Sequence, residues 1–202
     1  MATTTPNYGW TVPTSTDLVK DGATAIETLG DAIDASMNTA LGTKKAGMVL
    51  LNTTSFSGVA SQSINDVFSA NFENYRIVLT GSISTNAEIR IRYRVSGADN
   101  STANYNFQRL SGSATTVSAA RTTGATSQDV CIWDANLSSM QLEIFRPFLT
   151  EATGSYAIGA ADGVTTQNFA GRFTGATSFT GLTIIASAGT ITGKAFVYGY
   201  NL

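Results

Sequence analysis

Histidine is absent from this chain of 202 residues, and cysteine occurs once, as Cys131. Without an imidazole no Ser-His-Asp triad can be assembled. A lone thiol forms no internal disulfide, and without histidine it lacks the usual partners of a zinc site. The run Asp129-Val130-Cys131-Ile132-Trp133 instead makes Cys131 a small buried residue of a strand, and no metal or cofactor is expected. Charge is scarce as well. Charged residues make up 13% of the chain, against about a quarter in a typical globular protein. The net charge of −2 leaves no basic field to draw nucleic acid or an anionic membrane. No run approaches the ~20 apolar residues of a membrane-inserted helix. The opening Met-Ala-Thr-Thr-Thr-Pro lacks the basic and apolar regions of a secretory signal, which predicts folding in a cytosol.

What the chain does have is one helical segment followed by β-rich sequence. Val19, Ile26, Ile33 and Ala40 recur every seven residues, and Leu29 takes the matching second core position. This spacing describes a narrow seam, which partner chains must cover. β-branched residues at the first position suit dimers and trimers, while Gly22 and Ser36 at the second weaken a Leu-rich dimer. The predicted helix runs from about Asp17 to Thr39, roughly 35 Å long. Gly22 and Gly30 cost about 1 kcal/mol each in its interior, so alone it is marginal. Ser15, Thr16 or Asp17 can cap it, Asp17 and Asp21 complement its dipole, and Gly42, followed by Lys44 and Lys45, ends it.

Before the helix, Met1 to Thr16 read as an arm extended by Pro6 and Pro13. Tyr8, Trp10 and Val12 are too apolar for a solvated tail, which makes the arm a docking segment; the alternative is that it packs back on its own helix. From Ala46 onward about ten strand-like runs follow, separated by Gly, Ser, Thr and Asn turns. Arg76–Thr80 and Glu88–Val95 are expected to pair as a hairpin through Ser84-Thr85-Asn86. The other runs are Met48–Leu51, Tyr105–Leu110, Thr115–Ala119, Asp129–Trp133, Met140–Phe145, Asn168–Phe173, Leu182–Ala186 and Ala195–Tyr200. Such spacing predicts a mainly β fold, an antiparallel β-sandwich that is jelly-roll-like. Thr123–Ser127 and Thr174–Ser178 share one sequence and are expected to form two similar turns.

Arg90, Arg92 and Arg94 fall on one face of their strand, with Ile89, Ile91, Tyr93 and Val95 on the other. They either form a solvated face paired with acids such as Glu88 or Glu143, or a stripe for an anionic partner. Trp133 is a candidate for stacking on a sugar, and Tyr105, Phe107, Tyr156 and Tyr198 are further aromatic candidates. Phe196 and Tyr198 fit a subunit interface or the core better than a glycan site. Asp129 and Asp134 flank Trp133, and glycoside cleavage needs two carboxylates roughly 5 to 9.5 Å apart. Turn and capping roles suit both better, and the glycine-rich words lack the lysine of a phosphate loop. No enzyme activity is expected.

The segment Asn7-Tyr8-Gly9-Trp10-Thr11-Val12-Pro13-Thr14-Ser15-Thr16-Asp17-Leu18-Val19-Lys20-Asp21-Gly22-Ala23, continuing through Ile26-Glu27-Thr28-Leu29-Gly30, resembles the N-terminus of tail-fibre and minor tail proteins of tailed bacteriophages. Phe72-Glu73-Asn74-Tyr75-Arg76-Ile77-Val78-Leu79 and the closing Gly193-Lys194-Ala195-Phe196-Val197-Tyr198-Gly199-Tyr200 are similar to the β heads of that group. The resemblance implies a homotrimeric virion fibre assembled in the host cytoplasm. Residues 1–16 would be the virion-attachment arm (Tyr8, Trp10, Val12) on a tail or baseplate protein. Residues 17–45 would be the trimeric coiled-coil stalk (Val19, Ile26, Leu29, Ile33), and 46–202 the β-sandwich head. The head would adhere to a host surface glycan or protein, with Arg90, Arg92, Arg94 and Trp133 as candidate receptor contacts. The alternatives are a capsid-attached head fibre or decoration protein docked on a capsid protein, a tail depolymerase, and a cellular lectin-like module.

Overall fold

The computed structural model describes residues 3–16, 18–41, 47–161 and 165–200. The expected cap Asp17, the stop at Gly42 and the following Lys44 and Lys45 lie outside them, as does the side chain of Ala40. The chain divides into two compact units, Met1–Ala46 and Gly47–Leu202.

In the first unit, β1 (Thr3–Thr4) and β2 (Thr11–Val12) pair antiparallel, Thr3 opposite Val12. The turn between them needs Gly9, whose φ of +66° is costly for a residue with a Cβ. The arm is thus a short hairpin instead of an extended strand. The helix α1 spans Gly22–Leu41, five residues later than its expected start. A single 3-10 turn, Val19–Asp21, precedes it and has no side-chain cap, which places Val19 outside the α-helix proper.

Among the described residues of the second unit, thirteen strands follow in chain order. The first five are β3 (Met48–Val59), β4 (Ser61–Ile64), β5 (Asn74–Ile83), β6 (Ala87–Val95) and β7 (Ala98–Asp99). Next come β8 (Tyr105–Ser113), β9 (Thr116–Ala125), β10 (Gln128–Trp133) and β11 (Ser138–Phe145). The last four are β12 (Thr153–Ala161), β13 (Thr165–Phe173), β14 (Gly181–Ala186) and β15 (Ile191–Tyr200). They form two antiparallel sheets: a large one of eight strands, β3-β15-β5-β11-β12-β13-β8-β9, and a small one of five, β10-β6-β14-β4 with β7 beside β6. The mainly β, antiparallel reading therefore holds. Inward residues of both sheets share one core, including Ile89, Tyr93, Val130 and Leu182 from the small sheet. Ile77, Leu142, Phe169 and Val197 meet them from the large sheet.

The expected hairpin of β5 and β6 does not form. β5 pairs with β15 and β11, while β6 pairs with β10 and β14. Both strands bury alternate aliphatic residues, and crossing between sheets lets Ile77 and Leu79 and Ile89 and Ile91 enter the same core. Residues 84–86 are thus an arch, held to the chain before β15 by Ser84 N donating to Thr190 O at 2.9 Å. The repeated pentapeptide also takes two forms. Thr123–Ala125 ends β9 with Gly124 at φ +65°, whereas residues 174–178 lie outside the strands.

The edge strand β10 lies directly on the large sheet. A Cβ placed on Gly159 of β12 would overlap Cys131 Sγ, and one on Gly171 of β13 would overlap the Gln128 amide. A bulge between Asp129 and Cys131 turns both Val130 and Cys131 inward. Gln128 Nε2 donates to Ser155 Oγ at 2.8 Å. Gln167 of β13 occupies the free edge of β10: Ile132 N donates to its Oε1 at 2.6 Å, and its Nε2 donates to Ile132 O at 3.2 Å. A fully buried side-chain amide here replaces a missing neighbour strand. Cys131 is likewise fully buried, and burial pushes its thiol up to about 12. Gly159→Ala is therefore expected to lower head stability by about 1–3 kcal/mol, seen as a reduced urea midpoint at unchanged slope. Adding Cys131→Ala, which removes the overlapping sulfur, should recover part of the loss; strictly additive losses would contradict the contact.

Candidate functional site

Strand alternation places Arg90, Arg92 and Arg94 together on the outer face of the small sheet, as the sequence implies. Each guanidinium is answered within the chain. Arg90 Nε donates to Asp129 Oδ1 at 2.8 Å, with Glu88 3.8 Å away. Arg92 Nε donates to Thr126 O at 3.0 Å. Arg94 donates to Asn65 Oδ1 at 2.7 Å and Thr183 Oγ1 at 2.7 Å, and also bonds Asp99 and the carbonyl of Gly97. Partial burial pushes the Asp129 carboxyl up even against its bond from Arg90. For Glu88 burial also pushes up, but the bond from Ser187 and the charge of Arg90 help bring the net shift below the ordinary range. The stripe is therefore a knit surface, with Arg92 the least engaged of the three.

Trp133 is not a receptor contact. It is fully buried, opposite Ala87 of β6, because the bulge in β10 keeps its side chain in the core. Asp134, beyond it, accepts from Asn136 N at 2.9 Å and so serves a turn. Tyr105 and Phe107 are also core residues, with Tyr105 packed against Tyr93 and Phe173.

On the arm, Tyr8 and Trp10 stack at 5.0 Å, and Trp10 Nε1 donates to Ser36 Oγ of α1 at 2.9 Å. The arm thus folds back on its own helix through Trp10, while Tyr8 stays 69% exposed and Val12 is half-buried. Ala25, Leu29, Ala32, Ile33 and Ser36 are half-buried, whereas Ile26 and Met37 remain exposed. Val19 is 95% exposed. Gly30, between Ile26 and Ile33, faces open space. An apolar stripe of Ile26, Gly30, Ile33 and Met37 is left along the helix at four- and three-residue steps.

Two surfaces escaped the sequence reading. The first is the outer face of the large sheet, where Leu50, Leu110, Val117, Tyr156 and Ile158 are exposed. Cross-strand register puts Phe196, Val78, Gln141, Ile158, Asn168 and Leu110 in one row across it. Its central ion pair is self-contained: Arg76 Nε donates to Glu143 Oε1 at 2.5 Å and Tyr200 OH to Glu143 Oε2 at 2.7 Å. Tyr156 and Ile158 two residues apart were the available signal, but β12 is otherwise too small-residue-rich to read as a strand. The second surface is an open pocket of about 400 Å³ between the turn before β5 and the turn after β11. The words Phe72-Glu73 and Arg146-Pro147-Phe148 carry it.

No protein-family model matches the chain, and no curated protein does. Among solved structures the chain is similar to the galectin LEC-6 of Caenorhabditis elegans, at 13% identity and a TM-score of 0.30, covering 76% of this chain and 97% of that one. It is also similar to the basic winged bean lectin with Tn-antigen, at 6% identity and a TM-score of 0.26, covering 76% of this chain and 87% of the lectin. Likeness at this level carries no argument about ligands.

The unequal engagement of the arginines has a measurable consequence. Arg94, only 11% exposed in its side chain, holds several polar partners. Arg94→Gln is expected to lower head stability by about 1–3 kcal/mol in urea unfolding. Arg92→Gln should change it by less than about 0.5 kcal/mol. Equal effects would show that the contacts of Arg94 contribute nothing special.

Proposed function

We propose that this chain is a non-enzymatic structural fibre protein of a tailed bacteriophage, a homotrimer with a coiled-coil stalk and a jelly-roll-like adhesive head. The observation that carries the reading is the apolar stripe along α1, in which Ile26 and Met37 are exposed and Ile33 is only half-buried. Covering Ile26 contributes about 1.5–3 kcal/mol, enough per chain to outweigh Gly30 inside the helix at about 1 kcal/mol. Copies of the same helix supply a matching stripe, with Gly30 permitting close approach. The exposed Leu110, Tyr156 and Ile158 on the large sheet provide apolar surface for contacts between heads.

Assignment to a virion rests on the resemblance of Asn7–Gly30 to tail-fibre N-termini. Because Trp10 is committed to Ser36, the exposed ring of Tyr8 is the arm's attachment contact on the particle. Three heads on one stalk gain avidity from individually weak sites, which suits a charge-poor adhesion surface. Electron microscopy of the phage particles labelled with antibody against residues 103–200 tests the reading. The expected result is label at the tail tip or baseplate. Label spread over the capsid would make this a capsid-attached fibre, and unlabelled particles would contradict a virion role.

A further inference from the structure

The pocket at one end of the sandwich has two preformed walls. The turn before β5 is pinned by the buried Tyr75, whose OH accepts from Ser69 N at 2.8 Å and donates to Ser69 O at 2.9 Å. Phe72, in that turn, lies so close over Gly199 that a Cβ there would overlap its ring. The opposite wall is the turn after β11, where Arg146 takes a left-handed φ of +59°, rare for a residue other than glycine, asparagine or aspartate. Its N donates to Glu73 O at 2.9 Å, joining the two turns.

The Arg146 guanidinium is held between two carboxylates, Nε to Glu73 Oε1 at 2.8 Å and Nη1 to Glu151 Oε1 at 2.6 Å. Phe72, Phe148 and Leu149 leave apolar surface beside this charged plane. A turn that needs only a left-handed backbone is best served by glycine. An arginine kept there despite the strain, between two acids and beside aromatic faces, points to use of the side chain.

We infer that this pocket binds a neutral saccharide unit. Two carboxylates around one guanidinium give a net negative site, which disfavours phosphate, sulfate and acidic sugars, and Arg146 already fills the place of a cation. A pyranose matches what remains: its hydroxyls donate to Glu73 and accept from the Arg146 guanidinium, and its C–H face lies on Phe72 or Phe148. A pocket of about 400 Å³ has room for one or two rings. The inference deepens the adhesion reading, which it rests on, and moves the contact site from the arginine stripe to this end of the head.

The test is saturation-transfer NMR on the full chain with methyl glycosides of glucose, galactose, rhamnose and N-acetylglucosamine, with glucuronate as the acidic comparison. Binding of the full chain to host cells is measured in parallel. Arg146→Gly suits the backbone and removes the guanidinium, so its melting temperature should be unchanged or higher. The expected result is transfer to at least one neutral glycoside, little to glucuronate, and at least tenfold weaker binding by Arg146→Gly in both assays. No transfer to any neutral glycoside, or equal transfer with Arg146→Gly, would overturn the site. Cell binding that survives Arg146→Gly would overturn the pocket while leaving adhesion intact; absence of cell binding by the unsubstituted chain would overturn adhesion itself.

Discussion

Contact of β10 with the large sheet at Gly159 and Gly171 sets the spacing of the two layers, and the rest of the head is arranged around it. Facing sheets ordinarily pack about 10 Å apart. Here two glycines remove the side chains that would hold β10 off, so Cys131 and Gln128 reach the opposite backbone. The close approach brings polar groups into a dry interior, and each must be answered there. Gln167 answers the free backbone of Ile132, and Ser155 answers Gln128. The bulge that points Cys131 inward also keeps Trp133 in the core and leaves Asp129 on the outside for Arg90. One local irregularity thereby fixes a layer spacing, an edge closure and a surface ion pair.

The same economy governs the surfaces. Arg94, Arg90 and Arg76 are each bound by acids or amides of neighbouring strands, so the arginines of β6 and the centre of the large sheet are internally compensated. Apolar surface is left exposed as well: one stripe on α1 and several side chains on the outer face of the large sheet. Surfaces of that kind, on a chain with so few charges, favour self-association over recognition of a charged partner.

Much of this was legible in the sequence where period and burial agree. The alternation Glu88 to Val95 gave the facing of the three arginines, and the free cysteine was correctly read as buried. The seven-residue spacing found a helix, although Val19 falls in a 3-10 turn before it. The failures share a cause. β12 went unseen because Gly154, Ala157, Gly159, Ala160 and Ala161 carry no strand signal, yet such small residues are what β10 requires opposite it. Trp133 lies two residues after Cys131 and shares its inward face, so reading the cysteine as buried already implied a buried tryptophan. The hairpin of β5 and β6 was wrong because sequence shows that two strands are adjacent, not which sheet each will join. The Arg146 pocket joins turns more than seventy residues apart, beyond any local pattern.

Association of copies through α1 is the claim on which stalk, fibre and avidity all depend. Multi-angle light scattering of the full chain, across a wide range of concentrations, measures it directly. A mass three times that of the 21.1 kDa chain, persisting on dilution, is the predicted result. A single-chain mass that persists at the highest concentration would contradict the account.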